Sequence, residues 1–169
     1  MANNYWNYVA LQKKHNRSKF NCGNDDLNLY LKRYAKQNDK KDISKAYVAV
    51  REETPDTIDG YYTISTSTIS FESLPENVAR KLPSYPIPAA LLGRLAVDLT
   101  CQGQGLGTEL LVNALLRIVK ASNEIGIYAV RVDAINETAK QFYLKHEFMP
   151  FQDDPLSLFL PLKTIRQQL

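Results

Sequence analysis

A glycine-rich turn that joins a buried strand to a long amphipathic helix limits the possible folds of this chain more than any other feature. Residues 89–97 are an almost continuous apolar run, which predicts a strand covered on both faces. Apolar residues at helical spacing predict a helix over Leu106–Ser122. Gly103, Gly105 and Gly107 stand at the junction and let the backbone turn sharply. Amides at a helix start lack acceptors and carry the positive end of the helix dipole, so the junction predicts an anion site that needs no lysine.

Neither of two common nucleotide-binding loops fits this turn. A Walker A loop ends in Gly-Lys-Ser/Thr, whereas Gly107 is followed directly by Thr108. A dinucleotide-binding fingerprint has the spacing G-x-G-x-x-G, whereas glycines stand here at positions 103, 105 and 107. On spacing alone, a glycine-rich turn without a ligand stays open as the alternative.

The remaining residues predict a series of strands and helices. The predicted strands are Tyr5–Leu11, Ala46–Arg51, Ile58–Ser67, Ile127–Val132, Phe148–Phe151 and Leu156–Leu162. The predicted helices are Asp26–Asn38, a short one at Leu74–Lys81, and one that Asn136 caps and that runs to about Lys145. Three prolines predict a stiff, extended connection before the buried strand: Pro83, Pro86 and Pro88. No repeat or linker interrupts the pattern, so residues 1–169 are predicted to form a single mixed α/β domain.

Composition excludes several classes of protein. Hydrophobic residues make up 44% and charged residues 23% of the chain, which argues against disorder. No apolar run approaches the roughly 18 residues that span a bilayer, and the first residues do not resemble a signal peptide. We therefore expect no membrane association and a cytoplasmic location. Cys22 and Cys101 lack partners at metal spacing, so we expect free thiols, no metal site and no disulfide.

Positive charge is concentrated in the first third of the chain. Residues 1–50 carry ten Lys or Arg and four Asp, a net charge of +6, although the whole chain has only +3. On the helix predicted over Asp26–Asn38, the cations share the face opposite the apolar stripe. This face predicts an anionic partner, with a simple solvated surface as the alternative. We interpret Tyr30 and Tyr34, in the apolar stripe, as core residues rather than as platforms for base stacking.

Two motifs together resemble the GNAT superfamily of N-acetyltransferases. The first is Gln102-x-x-Gly105-x-Gly107, preceded by Leu95-Ala96-Val97. The second is Asn136-x-x-Ala139-x-x-Phe142-Tyr143, followed by Phe148, with Glu147 where the superfamily usually has glycine. The resemblance implies an α/β (α+β) fold with a central mixed, mostly antiparallel twisted sheet. We expect about six to seven strands, flanked by about four helices, and acetyl-CoA as the cosubstrate with no metal.

The same resemblance assigns roles to individual residues. It implies that the backbone of Leu95, Ala96 and Val97 pairs with the pantetheine arm, and that the Val97 N–H stabilises the oxyanion. Asn136 is a candidate cofactor contact, although capping the following helix explains it equally well and is compatible. Tyr143 is the candidate general acid, since a phenol can protonate a departing thiolate; a core position is its alternative. The residues expected to hold the pyrophosphate are Gln102, Gly103, Gln104, Gly105, Leu106, Gly107 and Thr108.

Further motifs are similar to the TacT-like toxins of bacterial type II toxin–antitoxin systems. They are Phe20-x-Cys22-Gly23-x-x-x-Leu27-x-x-Tyr30-Leu31, Leu92-Gly93-Arg94-Leu95-Ala96-Val97-Asp98 and Asp154-Pro155-Leu156. The resemblance implies acetylation of the free α-amine of aminoacyl-tRNA, which blocks translation, and neutralisation by a ribbon-helix-helix antitoxin. It also implies a homodimer. The candidate tRNA-binding residues are Lys32, Arg33, Lys36, Lys40, Lys41 and Arg94.

The acceptor chemistry agrees with this interpretation. An α-amine has a pKa near 7.7–8.0, so an appreciable fraction is neutral without a strong base, unlike a lysine amine of pKa about 10.4. Accordingly, we interpret the two histidines, His15 and His146, as structural or surface residues. Two other functions stay open: a GNAT enzyme acting on a small amine or a protein N-terminus, and a GNAT-fold binding module without catalysis.

Overall fold

The computed structural model describes residues 5–169, and its strands form one seven-stranded mixed sheet. The strands are β1 (Asn7–Ala10), β2 (Lys45–Val50), β3 (Gly60–Ile69), β4 (Ile87–Val97), β5 (Ala129–Asp133), β6 (Met149–Pro150) and β7 (Ser157–Pro161). Their order is β1-β2-β3-β4-β5-β7-β6. Strands β4 and β5 run parallel, whereas β1–β2, β2–β3, β5–β7 and β6–β7 are antiparallel. The predicted mixed, mostly antiparallel sheet is therefore confirmed.

Helices connect and flank these strands. They are α1 (Asp25–Leu29), α2 (Ala35–Lys40), α3 (Glu76–Ala79), α4 (Leu106–Ala121), α5 (Glu137–Lys145) and α6 (Leu162–Arg166). A π-helical segment, Tyr30–Tyr34, joins α1 directly to α2, so that one continuous helix occupies the predicted position. Within residues 5–169, no helix is both long and apolar enough to cross a membrane.

The described chain divides into two compact units, each with its own core. The first contains residues up to Ser65 together with Gly93–Ala114, and the second contains Thr66–Leu92 together with Leu115–Leu169. The core of the first is built from residues of β2 and of the α1–α2 helix, including the fully buried Leu31. The core of the second is built on stacked Phe151 and Phe159, whose ring centroids are 5.0 Å apart. That residues 1–169 form a single domain stays a prediction.

The first helix differs from its predicted form in its middle turn. The Asn24 side chain accepts a hydrogen bond from the Leu27 N–H at 3.0 Å and so caps α1, as the turn residues predicted. The Ala35 N–H donates to the Tyr30 carbonyl, five residues back, which widens this turn. Tyr30 is buried as expected, but the interpretation of Tyr34 as core is wrong, because 45% of its surface is exposed. The apolar stripe is narrower than the periodicity indicated and leaves Tyr34 at its edge.

Three other segments also differ from the predictions. Pro88, expected in a connection, lies within β4, where it is exposed and accepts a hydrogen bond from the Tyr128 N–H at 2.9 Å. The predicted helix at 74–81 is only α3, preceded by a short 3-10 turn over Phe71–Ser73. The predicted last strand ends at Pro161, after which the chain turns into α6; its apolar residues Leu162 and Ile165 are buried at helical spacing.

Helix α5 ends in a tight turn that places a glutamate in the left-handed region. The Phe148 N–H donates to the Tyr143 carbonyl at 3.2 Å, and the Glu147 N–H donates to the Leu144 carbonyl at 3.1 Å. These are the two hydrogen bonds of a Schellman motif, which requires a left-handed residue after the cap. Glu147 has φ 71° at that position, the one that glycine occupies in the motif that this segment resembles. A glutamate in place of glycine at position 147 therefore costs conformational free energy.

We expect Glu147→Gly to raise the free energy of unfolding by about 0.5–1 kcal/mol. Relief of the left-handed strain outweighs the extra chain entropy that glycine loses on folding. The Glu147 carboxylate also contacts the Gln168 amide, but both residues are exposed and this contact contributes little. The measurement is denaturant unfolding, with Lys145→Gly, at the last residue of α5 and destabilising, as the matched control. An unchanged or lower stability of Glu147→Gly would contradict the assignment of strain.

Candidate functional site

The glycine turn of the first unit adopts the conformation that only glycine takes easily. After β4 ends at Val97, the chain makes a 3-10 turn and reaches Gly103 and Gly105, whose φ angles are +77° and +86°. A Cβ atom built on either glycine would meet no atom within 4 Å. Glycine is therefore required here by the backbone angle and not by crowding, and both residues lie open on the surface.

This turn feeds directly into the first turn of α4, where the geometry suits an anion. The first intrahelical hydrogen bond is that of the Glu109 N–H to the Gly105 carbonyl, at 3.1 Å. The earlier amides of Leu106 and Gly107 therefore have no intrahelical acceptor. Leu106 is 1% exposed and anchors the start of the 16-residue helix in the core. An exposed loop, a fixed helix start and the positive end of the dipole fit a diphosphate.

The Gln102 side chain holds the glycine loop in place. Its Nε2 donates to the Val97 carbonyl at 2.9 Å and to the Cys22 carbonyl at 3.1 Å. The side chain thus connects the end of β4 and the turn around Cys22 to the glycine loop, and a pyrophosphate contact of the Gln102 main chain stays a prediction. The adjacent Gln104 amide also bonds within the loop, to the Thr100 carbonyl at 3.4 Å. Because Cys22 lies 80 residues earlier in the chain, no local pattern could have indicated this contact.

The strand that leads into the loop is fixed by close backbone packing. Ala96 is 5% exposed and belongs to the core of the first unit, whereas Leu95 and Val97 are half-buried. Gly60, at the start of β3, lies so close that an added Cβ would stand 3.1 Å from the Ala96 carbonyl oxygen and 2.8 Å from Leu110 Cδ1. The sequence did not single out Gly60, although a glycine in a strand is a known signal of close backbone approach.

Tyr143 lies in the second unit and is almost completely buried. It belongs to α5, whose N-terminus is capped by Asn136 through a 2.8 Å hydrogen bond from the Ala139 N–H. The Tyr143 ring is 7% exposed and makes edge contacts with Phe142 and Phe148, at centroid distances of 5.2 and 5.4 Å. Burial raises the pKa of this phenol well above its usual range, so it stays protonated and able to donate. The capping role of Asn136 is confirmed, and a cofactor contact stays a prediction.

The candidate anion-binding cations lie in the first unit. Lys32, Arg33, Lys40 and Lys41 are exposed, and Lys36 is half-buried. Arg94 differs from these five, because its guanidinium carbon lies 3.5 Å from the centroid of the Tyr30 ring. Arg94 is therefore a cation–π partner of the α1–α2 helix, as well as a member of the predicted surface.

Neither histidine stands in a catalytic arrangement with the groups above. His15 is 3% exposed, and its Nδ1 accepts a hydrogen bond from the Gln12 N–H at 2.9 Å. Burial lowers the pKa of His15, and Lys14 lowers it further. His146 follows the last residue of α5, edge-on to Phe142 at 4.9 Å, and burial lowers its pKa too. Both side chains are therefore mostly neutral at pH 7, which agrees with structural roles.

The cysteines and carboxylates do not form a further centre. Cys22 and Cys101 are free thiols, and burial raises the pKa of both. In the part of the chain from residue 5 onward, no group of His, Cys, Asp and Glu side chains converges in a way that could hold a metal ion.

Comparison with known proteins identifies the family. The family profile described as "Acetyltransferase (GNAT) domain" matches residues 42–150. The chain therefore belongs to the GNAT acetyltransferases, as its two motifs indicated, and it is an enzyme of the N-acetyltransferase class. The tRNA-acetylating toxin of Mycobacterium tuberculosis is 35% identical over 147 residues, covering 87% of this chain and 86% of that protein. The probable toxin TacT of Sinorhizobium fredii is 33% identical over 161 residues, covering 90% and 88%.

Solved structures give the same result. A tyrosine-to-phenylalanine variant of KacT superposes with a TM-score of 0.92 at 33% identity, covering 97% of this chain and 99% of KacT. AtaT in complex with acetyl-methionyl-tRNAfMet superposes with a TM-score of 0.90 at 32% identity, with the same coverage. AtaT bound to acetyl-CoA and to the C-terminus of its antitoxin AtaR has a TM-score of 0.82 at 30% identity, covering 96% and 97%. Within the GNAT family, the chain is thus one of the TacT-like toxins.

Proposed function

We propose that this protein transfers the acetyl group of acetyl-CoA to the free α-amine of aminoacyl-tRNA and thereby blocks translation. One observation carries the proposal: the first unit combines an open glycine loop at a helix start with the exposed basic face of α1–α2. The loop suits the diphosphate of coenzyme A, and the basic face suits the phosphates of a polynucleotide. An acceptor without phosphates would not need the second feature. The tRNA-acetylating relatives support the same acceptor.

The main chain of the first unit binds and orients the acetyl donor in this proposal. Amides of the Gln102–Thr108 loop hold the diphosphate, and the Gln102 side chain keeps that loop attached to the end of β4. The backbone of Leu95, Ala96 and Val97 pairs with the pantetheine arm in the manner of an added strand. The Val97 N–H then donates to the thioester oxygen, where negative charge develops during the reaction.

Two proton transfers complete the reaction. The neutral α-amine attacks the thioester carbonyl carbon, a C–N bond forms, and the C–S bond breaks. The new ammonium loses its proton to solvent, which is easy because the amine of the ester has a low pKa. Tyr143 donates its phenolic proton towards the departing sulfur, so that coenzyme A leaves as a thiol, and the phenolate then takes up a proton from solvent. Its raised pKa makes the phenol a weaker acid but a permanently protonated donor at neutral pH.

The remaining proposals concern where the protein acts, how many copies assemble and what inhibits it. We propose that the protein acts in the cytoplasm, where charged tRNA is found, as a homodimer with a single domain per chain. We further propose that a ribbon-helix-helix antitoxin restrains it, as the complex of AtaT with AtaR suggests by analogy. Two copies would also present two basic helix faces to one tRNA.

The experiment that tests the function is acetylation of charged tRNA pools with labelled acetyl-CoA. We expect label on the aminoacyl group, released as an N-acetyl amino acid when the ester is hydrolysed. Label on small amines or protein N-termini alone would favour a GNAT enzyme that acts on those acceptors instead of on tRNA. No transfer, together with no acetyl-CoA binding by calorimetry, would favour a binding module that retains only the fold.

Gly105→Ala should raise the dissociation constant for acetyl-CoA about tenfold. Alanine is strained at φ +86°, so the loop is expected to move and misplace its amides, at a cost of about 1–1.5 kcal/mol. Isothermal titration calorimetry measures the change directly. The matched control is Gly126→Ala, because Gly126 is exposed, has no positive φ and also has no atom within 4 Å of an added Cβ. Equal affinities of the two variants would show that the loop does not hold the cofactor.

A further inference from the structure

The exposed Tyr34 ring has no role in the core or in the proposed chemistry. It is 45% exposed, although its helix has a buried face that accommodates Tyr30 and Leu31. It is the last residue of the π-helical segment Tyr30–Tyr34. Such widened turns are rare, cost hydrogen-bond geometry and occur frequently at functional sites. Packing in the core therefore does not explain why a tyrosine stands at this exposed position.

Tyr34 lies beside a ring that the first unit holds in place. The Arg94 guanidinium carbon lies 3.5 Å from the centroid of the Tyr30 ring, and the Tyr34 ring is tilted by 34° against Tyr30 at a centroid distance of 6.3 Å. Tyr30 is fixed by its hydroxyl, which bonds the Ser44 hydroxyl at 3.0 Å and accepts from the Asn38 amide at 3.2 Å. The exposed Tyr34 ring is therefore the solvent-accessible neighbour of a fixed, positively charged pair.

The surroundings of this ring indicate what it can stack on. Arg94 is the cation that the structure places against the Tyr30–Tyr34 ring pair, whereas Lys32, Arg33 and Lys36 belong to the same helix but point to other sides of it. Exposed aromatic rings on a basic surface are the arrangement with which proteins hold single-stranded nucleic acid, because the bases stack while the phosphates pair with the cations. Arg94 also precedes Val97 by three residues of one strand, about 10 Å at 3.3 Å per residue.

We propose that Tyr34 stacks on an unpaired base in the single-stranded 3′ end of the aminoacyl-tRNA. This inference rests on the proposed function and adds how the acceptor end is held. The end carries the reacting ester on its last nucleotide, so a neighbouring base anchored on Tyr34 limits where the amine can lie relative to Val97. The duplex part of the tRNA offers no free base face, which is why the ring selects the unpaired end.

The test measures steady-state acetylation of aminoacyl-tRNA by the full chain carrying Tyr34→Ala or Tyr34→Phe. We expect Tyr34→Ala to raise the KM for aminoacyl-tRNA about tenfold, and Tyr34→Phe to stay within twofold of wild type, because phenylalanine keeps the ring. The KM for acetyl-CoA is expected to be unchanged in both. The matched control is Tyr85→Ala, which removes another exposed tyrosine, 61% accessible, and should leave both KM values unchanged.

Salt dependence separates stacking from damage to the basic face. Stacking involves no counterion release, so Tyr34→Ala should shift the plot of log KM against log salt without changing its slope. A helix disordered by the substitution would lower the slope, and Tyr34→Leu, which keeps apolar bulk without a ring, would then behave like wild type. Stacking predicts that Tyr34→Leu resembles Tyr34→Ala.

A direct readout uses tRNA that carries 2-aminopurine in place of one unpaired base near the 3′ end. Wild type and Tyr34→Phe should quench its fluorescence on binding, and Tyr34→Ala should not. Unchanged KM and equal quenching in Tyr34→Ala would overturn the inference while wild-type acetylation of tRNA left the proposed function intact. Failure of wild type to acetylate any charged tRNA would instead remove the proposed function, and the inference with it.

Discussion

Tyr143→Phe is expected to lower kcat for aminoacyl-tRNA acetylation by about 1,000-fold, while the dissociation constant for acetyl-CoA stays within twofold of wild type. Loss of a positioned general acid typically costs between about 100-fold and 10,000-fold. Phenylalanine keeps the ring and its edge contacts with Phe142 and Phe148, so the fold and the cofactor site should survive. Stopped assays with labelled acetyl-CoA give kcat, and calorimetry gives the affinity.

The raised pKa of Tyr143 also determines the pH profile of wild type. The active form of the phenol is protonated, and burial moves its pKa above the ordinary value of about 10. Activity should therefore rise as the α-amine loses its proton, below the ordinary range of 7.7–8.0 because the ester lowers the pKa of this amine, and should not fall again up to about pH 10. A phenol with the ordinary pKa of about 10 would already be partly deprotonated below pH 10, and the activity would fall there.

Tyr128→Phe is the matched control for Tyr143→Phe. Tyr128 is a half-buried tyrosine of the same unit, whose pKa burial also raises, but it packs against the core of that unit. Removal of the Tyr128 hydroxyl should leave kcat within about twofold of wild type. If Tyr143→Phe turned over at a similar rate, Tyr143 would be a core residue and another group would protonate the sulfur.

Removal of the basic helix face should have the second large effect. A variant with four substitutions to glutamine should raise the KM for aminoacyl-tRNA about 100-fold near 0.1 M salt. The substituted residues are Lys32, Arg33, Lys36 and Lys40. Each lost phosphate contact removes about 0.7–0.9 from the slope of log affinity against log salt, so the slope should fall by about 3. Glutamine keeps helix propensity, and kcat at saturating tRNA should change little.

A variant with the same change in net charge provides the control. Four exposed lysines of the second unit are changed to glutamine: Lys81, Lys120, Lys145 and Lys163. This control should lose less than about threefold in KM and keep the slope, because only long-range attraction is reduced. Equal effects in the two variants would mean that net charge, and no particular surface, attracts the tRNA. A flat salt dependence of wild type would exclude a phosphate-based surface.

The sequence predicted those parts of the fold that depend on interactions between residues close together in the chain. The apolar run of β4, the turn at Gly103 and Gly105 and the helical spacing of α4 are read within one stretch of chain and were found in place, whereas Gly107 belongs to the first turn of α4. The Asn136 cap was predicted from the same kind of signal. The Glu147 substitution was visible in the motif, and the structure adds that its position is left-handed.

Features that depend on distant residues could not be predicted. The partners of the Gln102 side chain include Cys22, 80 residues away, and the exposure of Tyr34 depends on how much of the helix the first core covers. The last apolar run was divided between β7 and α6, because Leu158 and Leu160 alternate as in a strand whereas Leu162 and Ile165 have helical spacing. Short apolar runs are compatible with either periodicity until packing selects one.

The π-helical turn makes the register of the first helix tolerant of the loss of one residue. Such a turn is equivalent to one extra amino acid accommodated within a regular helix, so an in-frame deletion inside Tyr30–Tyr34 would restore ordinary winding. The downstream half would then keep its orientation, whereas winding all the present residues as an ordinary α-helix would rotate it by about 100° and extend it by about 1.5 Å. The directions in which Lys36 and Lys40 point should therefore survive such a deletion, so the arrangement of cations does not depend on the exact length of this segment.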